Sequence, residues 1–226
     1  MSRLEIPRGS DMSTRCDESG MCEIADGIGA NCGTELKRLI EARADWATIV
    51  DIAPIALGHL LVFPFEHLTR AAQLGMDGFA KYWDYLAEAA TFLSSFKLGP
   101  VAAVEHGSPG MRSSMSCVRH CHTHVCPIEN RFHSFDRFIS AVESFVDIDD
   151  VHFGWQQAYR ALSRMDEYVL VFSVDSIIVG RPRPGIRQIS RALLAALNDN
   201  SGICDIDWVL EAENKTYFDT LKLLKG

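Results

Sequence analysis

Three histidines at alternate positions, His120, His122 and His124, lie inside the run "CVRHCHTHVCPIE", in a chain with only eight histidines. Read as a β-strand from Cys117 to about Cys126, ended by Pro127, this run turns all three imidazoles to one face. Neighbouring rings would then rise from backbone positions roughly 6.5–7 Å apart, close enough to converge on one small anion or one metal ion. Cys121, Thr123 and Val125 would face the other way, where small and β-branched side chains suit a core. Neutral imidazole is both a zinc ligand and a nucleophile near neutral pH. The triplet alone leaves metal binding and nucleophilic catalysis open.

The elements that must position these rings follow from pattern. "TELKRLIEA", residues 34–42, places Leu36, Leu39 and Ile40 at helical spacing. Thr48–Asp51 and His59–Phe63 read as strands joined by "APIALG", where Pro54 and Gly58 punctuate. A helix is expected from about Gly78 to Phe96, capped by Asp77, with Phe79, Trp83, Leu86, Ala90 and Leu93 on one face. "VAAVEHG" reads as a strand and "FDRFISAVESF" as a helix, while "VHFGWQQAYRALSRM" is ambiguous. "YVLVFSVDSIIVG" has the pattern of a hairpin around Val174-Asp175-Ser176. "GIRQISRALLAALND" is an amphipathic helix with Ile186, Ile189, Leu193, Leu194 and Leu197 on one side, and Gly202 follows. Strands that cluster in the first half and are joined by short loops predict an α+β fold, an antiparallel sheet with packed helices.

At 226 residues the chain can bury roughly 70 % of its unfolded surface, so its core needs no disulfide or metal. A net charge of −8 argues against a general nucleic-acid binder, which needs Lys and Arg in excess. It leaves room for a small phosphate ligand held by a few local donors. No apolar run is long enough to span a membrane, and the polar N-terminus has no signal-like apolar stretch. Seven cysteines at irregular spacing fit reduced thiols, so a cytoplasmic location is expected. "IPRGS" looks like a cloning linker, so the natural chain would begin at Met12. The expected organisation is a tag or flexible terminus over 1–20, a catalytic domain over 21–150, and a C-terminal extension over 151–226 packed on the same domain.

A second segment, "DIAPIALGHLLVFPFEHL", residues 51–68, pairs an Asp-Ile-x-Pro turn with a Gly-His-x-Leu-Val-x-Pro-x-x-His strand. With His-x-His-x-His, two small or apolar residues and Pro following in order, the chain resembles the histidine triad family of nucleotide hydrolases and transferases. "CEIADG" and "EHGSPG…SCVRH" extend the resemblance from about Cys22 to Ile128. It implies a HIT-like nucleotide-binding domain in which His122 is the nucleophile toward the α-phosphate of a nucleotide conjugate, giving a covalent nucleotidyl-histidine. His120 would orient His122, and His124 would donate to phosphate oxygens. Asp51 corresponds to the ribose-binding acid and Ile52 and Ile24 to apolar residues near the base, while Ser116, in the loop before the triad, is a candidate hydroxyl donor to the phosphate or leaving group.

The same resemblance implies a small-molecule nucleotide substrate, adenine by family habit, no required cofactor, and a homodimer. The apolar excess of Phe79, Tyr82, Trp83 and Leu86 on one helix would suit such a dimer. Met115-Ser116-Cys117 departs from the polar set many members carry before the triad, so the leaving group is open. Arg112 and Arg119 could meet a polyphosphate or simply face solvent, and Glu105 and His106 stand where the family has a polar loop. Some members bind a structural zinc; Cys22, His67 and His120 match that ligand set, and Cys16 stands in for the missing first cysteine, which here is Ser19. A phosphorylase or adenylyltransferase acting on dinucleoside polyphosphates, a phosphoramidase, a zinc hydrolase and a non-catalytic nucleotide-binding protein are the competing readings. For the last third, core completion, cover for the nucleotide and assembly all stay open, with Trp155 and Trp208 as its aromatic markers.

Overall fold

A computed structural model describes residues 37–109, 120–173, 176–199 and 215–226. The fold is α+β, with one eight-stranded antiparallel sheet and five α-helices among the described residues. The strands are β1 (Leu39–Ala42), β2 (Trp46–Val50), β3 (Leu60–Pro64), β4 (Val101–Gly107), β5 (Thr123–Pro127), β6 (Val146–His152), β7 (Tyr168–Ser173) and β8 (Ser176–Pro182). Their order across the sheet is β1-β2-β3-β5-β4-β7-β8-β6, with every neighbouring pair antiparallel. The helices are α1 (Gly75–Ser94), α2 (Phe135–Glu143), α3 (Trp155–Leu162), α4 (Ile189–Ala196) and α5 (Lys215–Lys225).

Strands β2 to β5 and most of β7 and β8 are buried on both faces, and alternation sorts their side chains between two large clusters, with a smaller one around Ile49, Leu61 and Phe63. Val62, Ala103, Val125, Leu170 and Val179 face α1 and α3 in one. Ala102, Val104, Cys126, Val171 and Ile178 face α2 and α4 in the other. Helix α1 supplies Phe79, Tyr82, Tyr85, Leu86, Ala89 and Leu93 as its buried stripe. It begins three residues earlier than its pattern predicts, so Asp77 lies in its first turn and Leu74 takes the cap position.

Several expectations change. Residues 39–42 form an edge strand rather than the end of a helix, because Leu39, Glu41 and Ala42 pair with Ile49, Thr48 and Ala47. Four residues with mixed pattern are decided by the neighbouring strand, not by local propensity. Strand β5 starts at Thr123, so His120 and His122 precede it rather than standing within it. Cys117 lies outside the described residues. The strands do not cluster in the first half, since β6, β7 and β8 all follow residue 145. The aspartate-rich β6 carries little apolar alternation and is legible only through its ladder with β8. Hairpin β7–β8 forms where the pattern places it, with Ser173 opposite Ser176.

Candidate active site

The link between β2 and β3 is built before any histidine is placed. Asp51 Oδ1 accepts the Ala53 amide at 2.8 Å, and the His59 amide donates to the Ala56 carbonyl at 3.1 Å, folding the segment back on itself. Gly58 has φ +89°, a left-handed conformation that suits a residue without Cβ. Its amide donates to Thr220 Oγ1 from α5 at 3.2 Å. The turn delivers His59, wholly buried, under the end of β5.

A chain of hydrogen bonds then fixes which nitrogens carry protons. The Ile55 amide can only donate, and it points at His59 Nδ1 at 3.2 Å. His59 Nδ1 therefore holds a lone pair, and its proton sits on Nε2, which lies 3.0 Å from His124 Nδ1. His124 accepts there and keeps its own proton on Nε2. Burial pushes both imidazoles well below the ordinary histidine range, so both stay neutral and this assignment holds near neutral pH.

His122 is fixed in the opposite sense. Its Nδ1–H donates to the His120 carbonyl at 2.8 Å, which leaves the lone pair on Nε2. The ring is half-buried and its centroid lies 5.0 Å from that of His124. Burial lowers the His122 pKa, against the hydrogen bond to the His120 carbonyl and the Asp51 charge, which raise it. A ring nitrogen with an available lone pair thus sits beside a ring nitrogen bearing a proton.

His120 behaves differently. Its side chain donates from Nε2 to the Pro64 carbonyl at 2.7 Å and packs edge-on to Phe63 and His67. Burial pushes its pKa down to about 4. It orients His122 through its backbone carbonyl, while its ring pins the end of β3.

Asp51 is almost completely buried, and Ile52 beside it is half-buried. Asp51 Oδ2 lies 3.7 Å from both His59 Nε2 and His124 Nδ1. The carboxylate also pairs with Arg191 of α4. Neither His59 nor Arg191 is among the site residues expected from sequence. His59 lies in the same motif as Asp51, eight positions on, whereas Arg191 is one cation on an amphipathic helix and carries no local signal. Asp51, His59 and His124 also bring potential ligand atoms within 4.8 Å of one another. A cation there would have to break the 3.0 Å bond between the two histidines and lie beside the Arg191 guanidinium, so the arrangement suits a hydrogen-bonded histidine pair better than a metal.

Ile24 and Ser116 lie outside the described residues, as do Arg112, Arg119, Cys16 and Cys22. The two described members of the zinc set, His67 and His120, are neighbours with ring centroids 5.4 Å apart. His120 directs its N–H to a backbone carbonyl and so turns Nδ1 into the lone-pair side, the arrangement a ligating histidine adopts.

Glu105 does not join the histidines, whereas His106 lies close enough to His122 for its charge to lower the His122 pKa. Glu105 faces the α1 side of the sheet, where its Oε1 accepts from the Ala71 amide at 2.8 Å, Tyr168 Oη at 3.0 Å and Cys121 Sγ at 3.6 Å. His106 pairs with Glu167 at 2.9 Å. Burial raises the Cys121 and Cys126 thiols, which removes both as nucleophiles.

Residues 36–131 match the family model described as HIT domain. The match spans β1 to β5 and all three triad histidines. Among solved structures the chain is similar to SMU.412c from Streptococcus mutans UA159, with 17% identity over 60% of this chain and 90% of that one, TM-score 0.42. It is also similar to the hypothetical histidine triad nucleotide-binding protein ST2152 from Sulfolobus tokodaii strain7, with 19% identity over 47% and 68% of the two chains, TM-score 0.35. A third similarity is to yeast Ap4A phosphorylase Apa2, solved in complex with Ap4A, with 12% identity over 87% and 79%, TM-score 0.45. No curated protein matches. Among the described residues no helix is long and apolar enough to cross a membrane.

Proposed function

We propose that this chain is an enzyme, a nucleotidyl hydrolase or transferase that cleaves a nucleotide phosphoanhydride or phosphoramidate through a nucleotidyl-histidine on His122. The observation that carries the reading is the matched pair of tautomers: a lone pair on His122 Nε2 and a proton on His124 Nε2 in adjacent rings. In the first step His122 Nε2 forms a bond to the α-phosphorus, and the bond from phosphorus to the leaving oxygen or nitrogen breaks. The electron pair leaves with that group, which takes up a proton. His124 Nε2–H donates to a non-bridging oxygen whose charge grows at the transition state. In the second step water or another acceptor attacks the same phosphorus and gives up its proton to solvent, the N–P bond breaks with its electron pair returning to Nε2, and neutral His122 returns.

Asp51 would take the ribose, Ile52 and Ile24 would lie near the base, and Ser116 would donate to the phosphate or the leaving group. Adenine is the expected base, on the strength of the resemblance. A structural zinc on His67 and His120, with Cys16 and Cys22, belongs to the same reading. Metal analysis of the purified chain checks it, and a chelator should leave turnover largely intact.

The decisive experiment is single turnover with adenosine 5′-phosphoramidate or a diadenosine polyphosphate. An acid-labile, alkali-stable adduct should accumulate, and His122→Asn should abolish adduct and turnover while the fold persists. A fully active variant would end the proposal. Dependence of turnover on added inorganic phosphate separates a phosphorylase from a hydrolase.

A further inference from the structure

Arg191 comes from α4, beyond the segment that matches the HIT domain, and reaches into the centre of the candidate site. Its Nη1 donates to Asp51 Oδ1 at 3.3 Å and Oδ2 at 3.2 Å, and its Nη2 donates to the Ala53 carbonyl at 2.7 Å. The Asp51 side chain is only 5% exposed and that of Arg191 only 14%. A carboxylate at that depth needs its counter-charge, and a planar guanidinium can clamp a carboxylate and a carbonyl at once where an ammonium cannot. The first residues of the link are therefore tied to one cation: Asp51 at its start, and Ala53, two residues before the amide of Ile55 that sets the tautomer of His59.

Because both terminal nitrogens serve the protein itself, Arg191 is poorly placed as a direct phosphate ligand. Its geometry is that of a support. We infer that Arg191 is a positioning residue that aims the Asp51 carboxylate at the ribose hydroxyls of the substrate, so that the last third of the chain sets the sugar preference of the site. This inference rests on the nucleotidyl-transfer reading above. It adds to that reading a residue, and a role for the C-terminal segment.

The test compares adenosine 5′-phosphoramidate with its 2′,3′-dideoxy analogue on the full chain, wild type against Arg191→Met and Arg191→Lys. Wild type should favour the ribose substrate in kcat/KM. Arg191→Met should raise KM for that substrate by about tenfold or more with a smaller change in kcat, and leave the dideoxy analogue nearly unaffected. Arg191→Lys, which restores charge without the fork, should recover part of the preference. Equal losses on both substrates in Arg191→Met would assign the residue a purely structural role and overturn the inference. So would a wild-type enzyme indifferent to the two sugars, a result that needs no variant to fold. Adduct formation on His122 in that indifferent enzyme would leave the nucleotidyl reading standing, whereas no adduct with either substrate would defeat the reading itself.

Discussion

The proton on His124 is placed by a backbone amide two hydrogen bonds away. Ile55 N–H, His59 and His124 form a line in which each donor forces the next ring to accept. Replacing His59 with Phe should remove the donor to His124 Nδ1, free that ring to exchange tautomers, and lower kcat by about 10²-fold. The change in KM should be small, because the lost interaction is one made to charge that develops at the transition state. Steady-state kinetics read both values, and a fall confined to KM would contradict this line of donors. His122 adds a pH consequence. Its pKa is depressed, so the neutral nucleophile should persist below the ordinary imidazole range, and the pH profile should fall only on the acid side of that range. The triad and Asp51 were readable at this scale because motif spacing carries them. Which ring nitrogens hold protons was not, since that depends on Ile55 and the His120 carbonyl, whose residue types carry no such information.

At the scale of elements, the back of the sheet is stapled by Glu105. One oxygen of this β4 side chain gathers the Ala71 amide before α1, Tyr168 at the start of β7, and Cys121 between two triad histidines. Its other oxygen has no hydrogen-bond partner among the described residues. Burial raises the Glu105 pKa to about 7, against hydrogen bonds that favour the charged form. A free carboxyl titrates near 4.3, so between these values the folded chain holds a proton that the unfolded chain lacks. The stability Glu105 contributes is complete below about pH 4 and is lost as pH rises through about 7. Glu105→Gln should therefore gain on wild type in melting temperature as pH increases from about 5 to about 8. A difference that does not change with pH would refute this.

Sequence pattern delivered β2, β3, β4, the β7–β8 hairpin, α1 and α4, whose apolar periods are long enough to read. It failed for β1 and β6. Both are edge strands, and each is specified by the partner it ladders onto rather than by its own residues.

Across the whole molecule, the aromatic surplus on α1 that suits a dimer in the sequence is used in part within the chain, with Trp83 left half-buried. Trp83 packs against Phe172 of β7 at a centroid distance of 4.6 Å, and Phe79 against Tyr159 of α3 at 5.2 Å. Of the three roles open to the last third, Trp155 takes core completion, since its ring lies 6.4 Å from Phe79. The other marker, Trp208, is outside the described residues. The outer strand β6 presents Asp147, Asp149 and Asp150 and a register shift, features that discourage pairing with a second copy. These arrangements use part of the aromatic surface that the sequence offers to the homodimer implied by the resemblance. Sedimentation of the full chain at micromolar concentration is expected to show a monomer, and a stable dimer would show that another face is used.

Strand β4 ladders onto β5 over Val101–Glu105 and onto β7 over Ala103–Gly107, so both of its flanks are paired within a single chain. A fragment ending near residue 150 would keep the histidines yet expose one flank of β4 as an open zipper half. Such a fragment should clump or trade strands with its copies, so attempts to trim this protein to the segment that carries the histidines would produce precipitate instead of a smaller soluble unit.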